Sequence, residues 1–113
     1  MPYVHVNVSK EMNAAELEAL RDAIAGKMSL IPGKTRTNTM IHISAGEAVT
    51  MGDDGEPAIF MEARLYKEAP VEAKQAFAKA ITDIFVDQLG VPANRVYMNI
   101  IELDHWASGG NYR

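Results

Sequence analysis

The chain contains no cysteine, only one tryptophan and no surplus of basic residues. Lacking thiols, it can form no disulfide, thiolate metal site or cysteine nucleophile, which suits the cytoplasmic location we expect. Eleven Lys and Arg residues are outweighed by fifteen Asp and Glu, a formal charge of -4. Nucleic-acid-binding domains present a basic face, so no nucleic-acid partner is expected. No apolar run approaches the roughly 20 residues that span a bilayer. The start of the chain has no basic segment leading into an apolar one, so neither a membrane span nor a signal peptide is read. What is present is the composition of an ordinary globular protein, 48% hydrophobic and 23% charged over 113 residues. That length gives one domain, 1–113, or one protomer of an oligomer, with a single modest core.

Hydrophobic periodicity divides the chain into two similar units. Residues 3–8, YVHVNV, alternate with Val4, Val6 and Val8 on one face, which predicts a strand. Helical spacing follows, with Asn13 and Glu16 placed as a capping box and Leu17, Leu20, Ile24, Met28 and Ile31 forming an apolar stripe. After PGKTRTN, residues 39–44 alternate again. In the second half, 58–66 reads as a strand, 69–90 as a helix and 95–103 as a strand. A shift of 57 residues superposes Leu20 on Phe77, Ile24 on Ile81, Met28 on Phe85 and His42 on Asn99. Such a repeat of a whole β-α-β unit implies duplication, here 2–44 and 58–103, joined by 45–57 with a short strand expected around Ala48–Met51.

The fold class that follows is α/β, a four-stranded mixed sheet with two helices on one face. Each unit contributes a parallel pair with a right-handed crossover. The other face, carrying Tyr3, His5, Asn7, Tyr97 and Asn99, has no helix of this chain to cover it, so self-association is expected.

Pro2 has two readings. Proline is tolerated at the first residue of a strand, where no ladder hydrogen bond is lost. Alternatively, removal of Met1 leaves Pro2 as a free secondary amine that an enzyme could use as a base. The shift that aligns the repeats places Ile59 at the equivalent position, so the proline is peculiar to the first unit.

Pro2 opening a strand, the duplicated β-α-β plan, the GKT loop, GDDGEPAIF and NRVYMNI together resemble the tautomerase superfamily. The similarity is greatest to the branch of macrophage migration inhibitory factor and its phenylpyruvate tautomerase relatives. The resemblance implies a homotrimer with pockets between subunits and no cofactor or metal. It implies keto–enol tautomerisation of a small anionic 2-keto acid such as phenylpyruvate, with Pro2 as the catalytic base. It also implies that Lys34 binds the substrate carboxylate, that the backbone of Tyr66 (or Leu65, one residue earlier) contacts substrate, and that Tyr97 and Asn99 enter from the neighbouring subunit. Arg36 and Arg64 are additional candidate substrate-binding cations, similar to the arginines of the dicarboxylate-binding branches. The chain departs from the pattern in two places. AIFM stands where the inhibitory-factor branch has a Cys-x-x-Cys pair, and the tail reads HWASGGNYR.

The chemistry of these residue types suits the implied reaction. A terminal amine titrates near 7.7–8.0, roughly, and desolvation or nearby cations lower that value, which tunes it as a general base. Lys34 supplies a point charge for a carboxylate. Asn99, Tyr97 or backbone N–H groups can stabilise an enolate oxygen. His42 is expected at a subunit interface rather than in catalysis. Two alternatives remain: a Pro2-dependent hydratase, dehalogenase or decarboxylase with Pro2 as an acid, and a non-catalytic, cytokine-like binding protein. PGKT is not a phosphate-binding loop, because Met28 occupies the position of the required earlier glycine. His5, His42 and His105 lack metal-ligand spacing.

Overall fold

The strand predicted at the start of the chain is β1, Tyr3–Val8, whose three valines are fully buried. A computed structural model describes residues Met1–Arg113. Helix α1, Ala14–Lys27, begins with the predicted capping box: the Glu16 N–H donates to Asn13 Oδ1 at 2.9 Å, and the Asn13 N–H donates to Glu16 Oε1 at 3.0 Å. These reciprocal bonds satisfy two amides that a helix start leaves without partners. The chain passes through a 3-10 turn, Met28–Leu30, and a loop to strand β2, Met40–Ser44. The second unit repeats the plan with β3, Ile59–Tyr66, α2, Val71–Leu89, and β4, Val96–Leu103. Gly90 ends α2 with φ 68°, a left-handed conformation in which glycine carries no Cβ penalty.

The strands lie in the order β2-β1-β3-β4. β1 pairs parallel with β2, β3 pairs parallel with β4, and β1 and β3 join the units antiparallel. The duplication extends to register. His5 lies opposite His42 and Glu62 opposite Asn99, and 62 − 5 and 99 − 42 are both 57. Both helices cover one sheet face. The aligned pairs Leu20/Phe77, Ile24/Ile81 and Met28/Phe85 are all fully buried there with the β1 valines, Met61 and Leu65. Phe77→Ala is expected to cost about 3–5 kcal/mol, because it removes a buried ring and leaves a cavity. Val71→Ala, at an exposed position of the same helix, should change stability by less than about 0.5 kcal/mol. Denaturant midpoints at one fixed protein concentration check both, since assembly would couple stability to concentration.

One expectation about the connections needs correction. No strand forms at Ala48–Met51; the segment has only an isolated bridge between Met51 and Asp54 around a turn at Gly52. It is tied down by a side chain instead. Arg95 donates to the Met51 carbonyl at 3.4 Å and, in the residues that follow, to those of Pro57 and Glu56 at 2.8 and 3.0 Å, and pairs with Asp54 at 2.9 Å. The tail also has structure that periodicity did not show: a hairpin of β5, Ala107–Ser108, and β6, Asn111–Tyr112. Its two-residue turn, Gly109–Gly110, has φ of 57° and 87°, the conformation that matches strand twist and favours glycine at both positions.

The second sheet face is open, as expected. Met40 and Tyr97 are 68% and 59% exposed on it. At its centre, the rings of His5 and His42 stack 4.1 Å apart; Ser44 Oγ bridges them at 3.0 and 3.3 Å, and the Tyr3 hydroxyl bonds His42 Nδ1 at 2.9 Å. No helix is long and apolar enough to cross a membrane.

Candidate active site

The start of β1, the end of β3, the loop after α1 and the C-terminal hairpin meet at one end of the sheet. Pro2 is buried there, and its carbonyl accepts the Met40 N–H at 3.0 Å, which anchors the residue just before β1. Beside it lies a cavity of about 310 Å³ lined by Met1, Pro2, Asn38, Met40, Trp106 and Ser108, among others. The loop PGKT turns through Gly33 at φ 79° and carries Lys34 back toward the sheet. Lys34 Nζ donates to the Tyr66 carbonyl at 3.0 Å. The amine at the start of the chain is held below the ordinary terminal-amine range. Burial is the largest cause, followed by the charges of Lys34 and Arg113 and a hydrogen bond from Lys34. Pro2, Lys34 and Tyr66, distant in sequence, are therefore brought together.

Beyond Tyr66 the backbone makes a sharp exit. Lys67 has φ 72°, uncommon for a residue with a Cβ, and its N–H donates to the Leu103 carbonyl at 2.7 Å. The Tyr66 ring lies near two cations, Lys67 Nζ at 5.2 Å and the Arg113 guanidinium at 5.9 Å. A second, larger cavity of about 650 Å³ adjoins the first through Tyr3, Met40 and Trp106, with Arg64 and His105 on its wall. Arg64 reaches Glu62 at 3.5 Å and stands 6.0 Å from the Tyr3 ring.

The remaining candidates lie elsewhere. Arg36 is paired with Asp22 of α1. Tyr97 lies opposite Phe60, whereas Tyr3 lies opposite Arg64. Four residues of strand separate those levels, roughly 14 Å along the sheet. Tyr97 lines a different cavity, with Val49, Met51, Phe60 and Arg95. Asn99, opposite Glu62 on the open face, is likewise away from Pro2. His42 is engaged in the cluster with Tyr3, Ser44 and His5. No three His, Asp or Glu side chains converge in a way that could hold a metal ion.

Sequence reasoning did not identify Asn38, Trp106 or Arg113. The SGGN turn is a hairpin signal in its own right and could have shown that the tail folds back. Nothing local shows where such a hairpin docks.

The family model for macrophage migration inhibitory factor matches residues 1–112. A macrophage migration inhibitory factor homolog from Trichuris trichiura is 25% identical over 95 residues, spanning 84% of this chain and 80% of that protein. Macrophage migration inhibitory factor of Xenopus laevis is 26% identical over 94 residues, spanning 83% and 82%. Among solved structures, MIF2 of Leishmania major superposes with a TM-score of 0.91 at 18% identity, over 100% of this chain and 97% of its own. Pt0534, solved after inactivation by 2-oxo-3-pentynoate, superposes at 0.76 with 15% identity, over 96% and 93%. The same fold, matched along nearly the whole sequence, makes this chain a member of the macrophage migration inhibitory factor family, in the tautomerase superfamily.

Proposed function

We propose that the protein is a cofactor-independent keto–enol tautomerase of a small 2-keto acid of the phenylpyruvate type, with Pro2 as the base once Met1 is removed. The observation that carries this reading is geometric: Pro2 is buried beside a cavity at the end of the sheet where Lys34 Nζ, held on the Tyr66 carbonyl, lowers the pKa of the neighbouring Met1 amine. Loss of Met1 moves the free amine by one residue, to a ring nitrogen just before β1 on a residue whose carbonyl is already anchored. The Pro2 nitrogen takes the proton from the carbon next to the ketone. The electron pair of that C–H bond forms the enolate double bond, and negative charge moves to the oxygen. Lys34 holds the carboxylate. The prolinium then returns the proton to the enolate oxygen, giving the enol and a neutral amine. The reverse order of steps ketonises an enol.

The mechanism also needs a donor for the enolate oxygen. We assign it to Asn99 and Tyr97 of a neighbouring copy in a homotrimer. The open sheet face, with Met40 and Tyr97 exposed, supports that assembly, because a sheet face of this kind needs a covering layer. Arg64 belongs to the rim of the adjoining cavity in this reading, and Arg36, held by Asp22, takes no part.

Burial and neighbouring cations, which lower the pKa of the amine at the chain's start, also favour a base over an acid, since both disfavour the protonated form that hydration or dehalogenation with Pro2 as acid would need. The test is a phenylpyruvate ketonisation and enolisation assay, with the N-terminus confirmed by intact mass. Activity should rise with pH and level off, with an apparent pKa below the ordinary terminal-amine range of about 7.7–8.0. Lys34→Ala should move that midpoint upward, since it removes both a neighbouring charge and a hydrogen bond. A protein with a free Pro2 that is inert across several 2-keto acids would overturn the proposal and point to a binding role. The inactivator of Pt0534 is itself a 2-oxo acid with a conjugated alkyne. A nucleophilic amine adds to such an alkyne, so covalent labelling at Pro2 is an independent readout.

A further inference from the structure

The five arginines differ in one respect. Arg21, Arg36, Arg64 and Arg95 each pair with a carboxylate, from Glu18, Asp22, Glu62 and Asp54 respectively. Arg113 pairs with none and its guanidinium makes no hydrogen bond within the chain, although the protein carries more acids than bases. Its position is nevertheless defined. Trp106 and Arg113 exchange both backbone hydrogen bonds, at 2.8 and 2.9 Å, and the His105 and Tyr112 rings stack 5.7 Å apart. Trp106 walls the Pro2 cavity, so the hairpin that places the indole also places Arg113. The guanidinium lies 5.9 Å from the Tyr66 ring, and the carbonyl of that same residue takes Lys34 Nζ. Lys34, Lys67 and Arg113, three cations without carboxylate partners, therefore surround Tyr66, and of these Lys34 and Arg113 also act on the amine at the chain's start.

We propose that Arg113 is a specificity-determining residue of the Pro2 site, binding the substrate carboxylate jointly with Lys34 and selecting carboxylate-bearing ketones over neutral ones. This rests on reading the Pro2 cavity as the substrate site. The division of labour follows from chemistry: the ammonium is a point charge already committed in part to a carbonyl, whereas a guanidinium can meet both carboxylate oxygens in one plane. The Arg113 charge also acts on the amine at the chain's start in the direction that keeps it neutral.

The test separates carboxylate binding from proton transfer by using benzoylformate, a 2-oxo acid that cannot enolise. Its neutral counterpart is 1-phenylpropane-1,2-dione, with acetyl in place of carboxylate. Binding to the wild type, Arg113→Ala and Arg113→Lys is followed on the single Trp106 indole N–H by NMR, which also reports whether the hairpin stays docked. Arg113→Ala should weaken benzoylformate about tenfold and the dione less than about twofold, and Arg113→Lys should recover part of the loss. In the phenylpyruvate assay KM should rise by a similar factor with kcat nearly unchanged. No binding of benzoylformate to the wild type, unchanged affinity in Arg113→Ala, or equal weakening of both probes would overturn the role of Arg113. Failure of the tautomerase reading shows differently, as a wild type inert toward phenylpyruvate, and leaves the binding comparison decisive for Arg113.

Discussion

Replacing Pro2 with alanine is expected to lower kcat/KM for phenylpyruvate about 10²- to 10⁴-fold, the range for removal of a positioned general base. The variant still has an amine at its start, but a primary one on a freely rotating bond. The ring that fixes the nitrogen relative to β1 is gone, and with it the geometry that makes proton abstraction effectively intramolecular. The fold should not suffer. The carbonyl of residue 2 still accepts the Met40 N–H, and the equivalent position in the second unit is filled by Ile59. A stability change within about 0.5 kcal/mol, measured beside the activity loss, would separate chemistry from misfolding. Retention of Met1 should be as damaging, because the nitrogen of residue 2 is then an amide without basicity. Equal activity in wild type and Pro2→Ala, with processing verified in both, would remove Pro2 from the mechanism.

The second large effect concerns the proposed sharing of the pocket between two chains. Asn99→Ala is expected to lower kcat about 10²- to 10³-fold, as removal of a donor to a developing oxyanion does. Pro2→Ala and Asn99→Ala chains, each nearly inactive, should then rescue one another when unfolded together and reassembled. A pocket is intact when its Pro2 comes from an Asn99→Ala chain and its Asn99 from a Pro2→Ala neighbour. For random equimolar assembly in a closed ring, about a quarter of pockets meet both conditions, so activity should recover to about a quarter of wild type. If both groups acted within a single chain, mixing would restore nothing. The register favours the shared arrangement, since Asn99 stands opposite Glu62 and Tyr97 opposite Phe60, away from the end of the sheet where Pro2 lies. A stable monomer in sedimentation would rule out this shared site.

These expectations connect the tail to the chemistry. The resemblance drawn from the sequence ends where the tail begins, yet Trp106 lines the Pro2 cavity and the Arg113 charge acts on the amine at the chain's start. A hairpin held by its own backbone bonds and a Gly-Gly turn can change its side chains without disturbing the sheet. Specificity can therefore vary there while the β-α-β frame is kept, because loops and tails on a rigid scaffold tolerate substitution better than its core.

Alternation and helical spacing were enough to locate both β-α-β units, and the 57-residue shift predicted the paired core positions, because burial on one face forces a period that chain order preserves. The Asn13 capping box was equally legible, since its two hydrogen bonds join residues three apart. Pro2 stood out by opening a strand where the second unit has Ile59, but Lys34 stood out only through a resemblance; no local rule places a lysine beside a residue thirty-two positions earlier. Their meeting depends on the β1–β3 pairing and on the Tyr66 carbonyl, contacts made when sheet and loop close. The short strand expected at Ala48–Met51 does not form for a related reason: Arg95, forty-four positions beyond Met51, donates to the Met51 carbonyl and holds the following turn through the Glu56 and Pro57 carbonyls and Asp54. The sequence by itself determined which residues face the core and that one sheet face stays open. Only the tertiary structure decided which charged side chains share the Pro2 site and which are neutralised elsewhere, because charge pairing is set by distance in space and leaves no period in the chain.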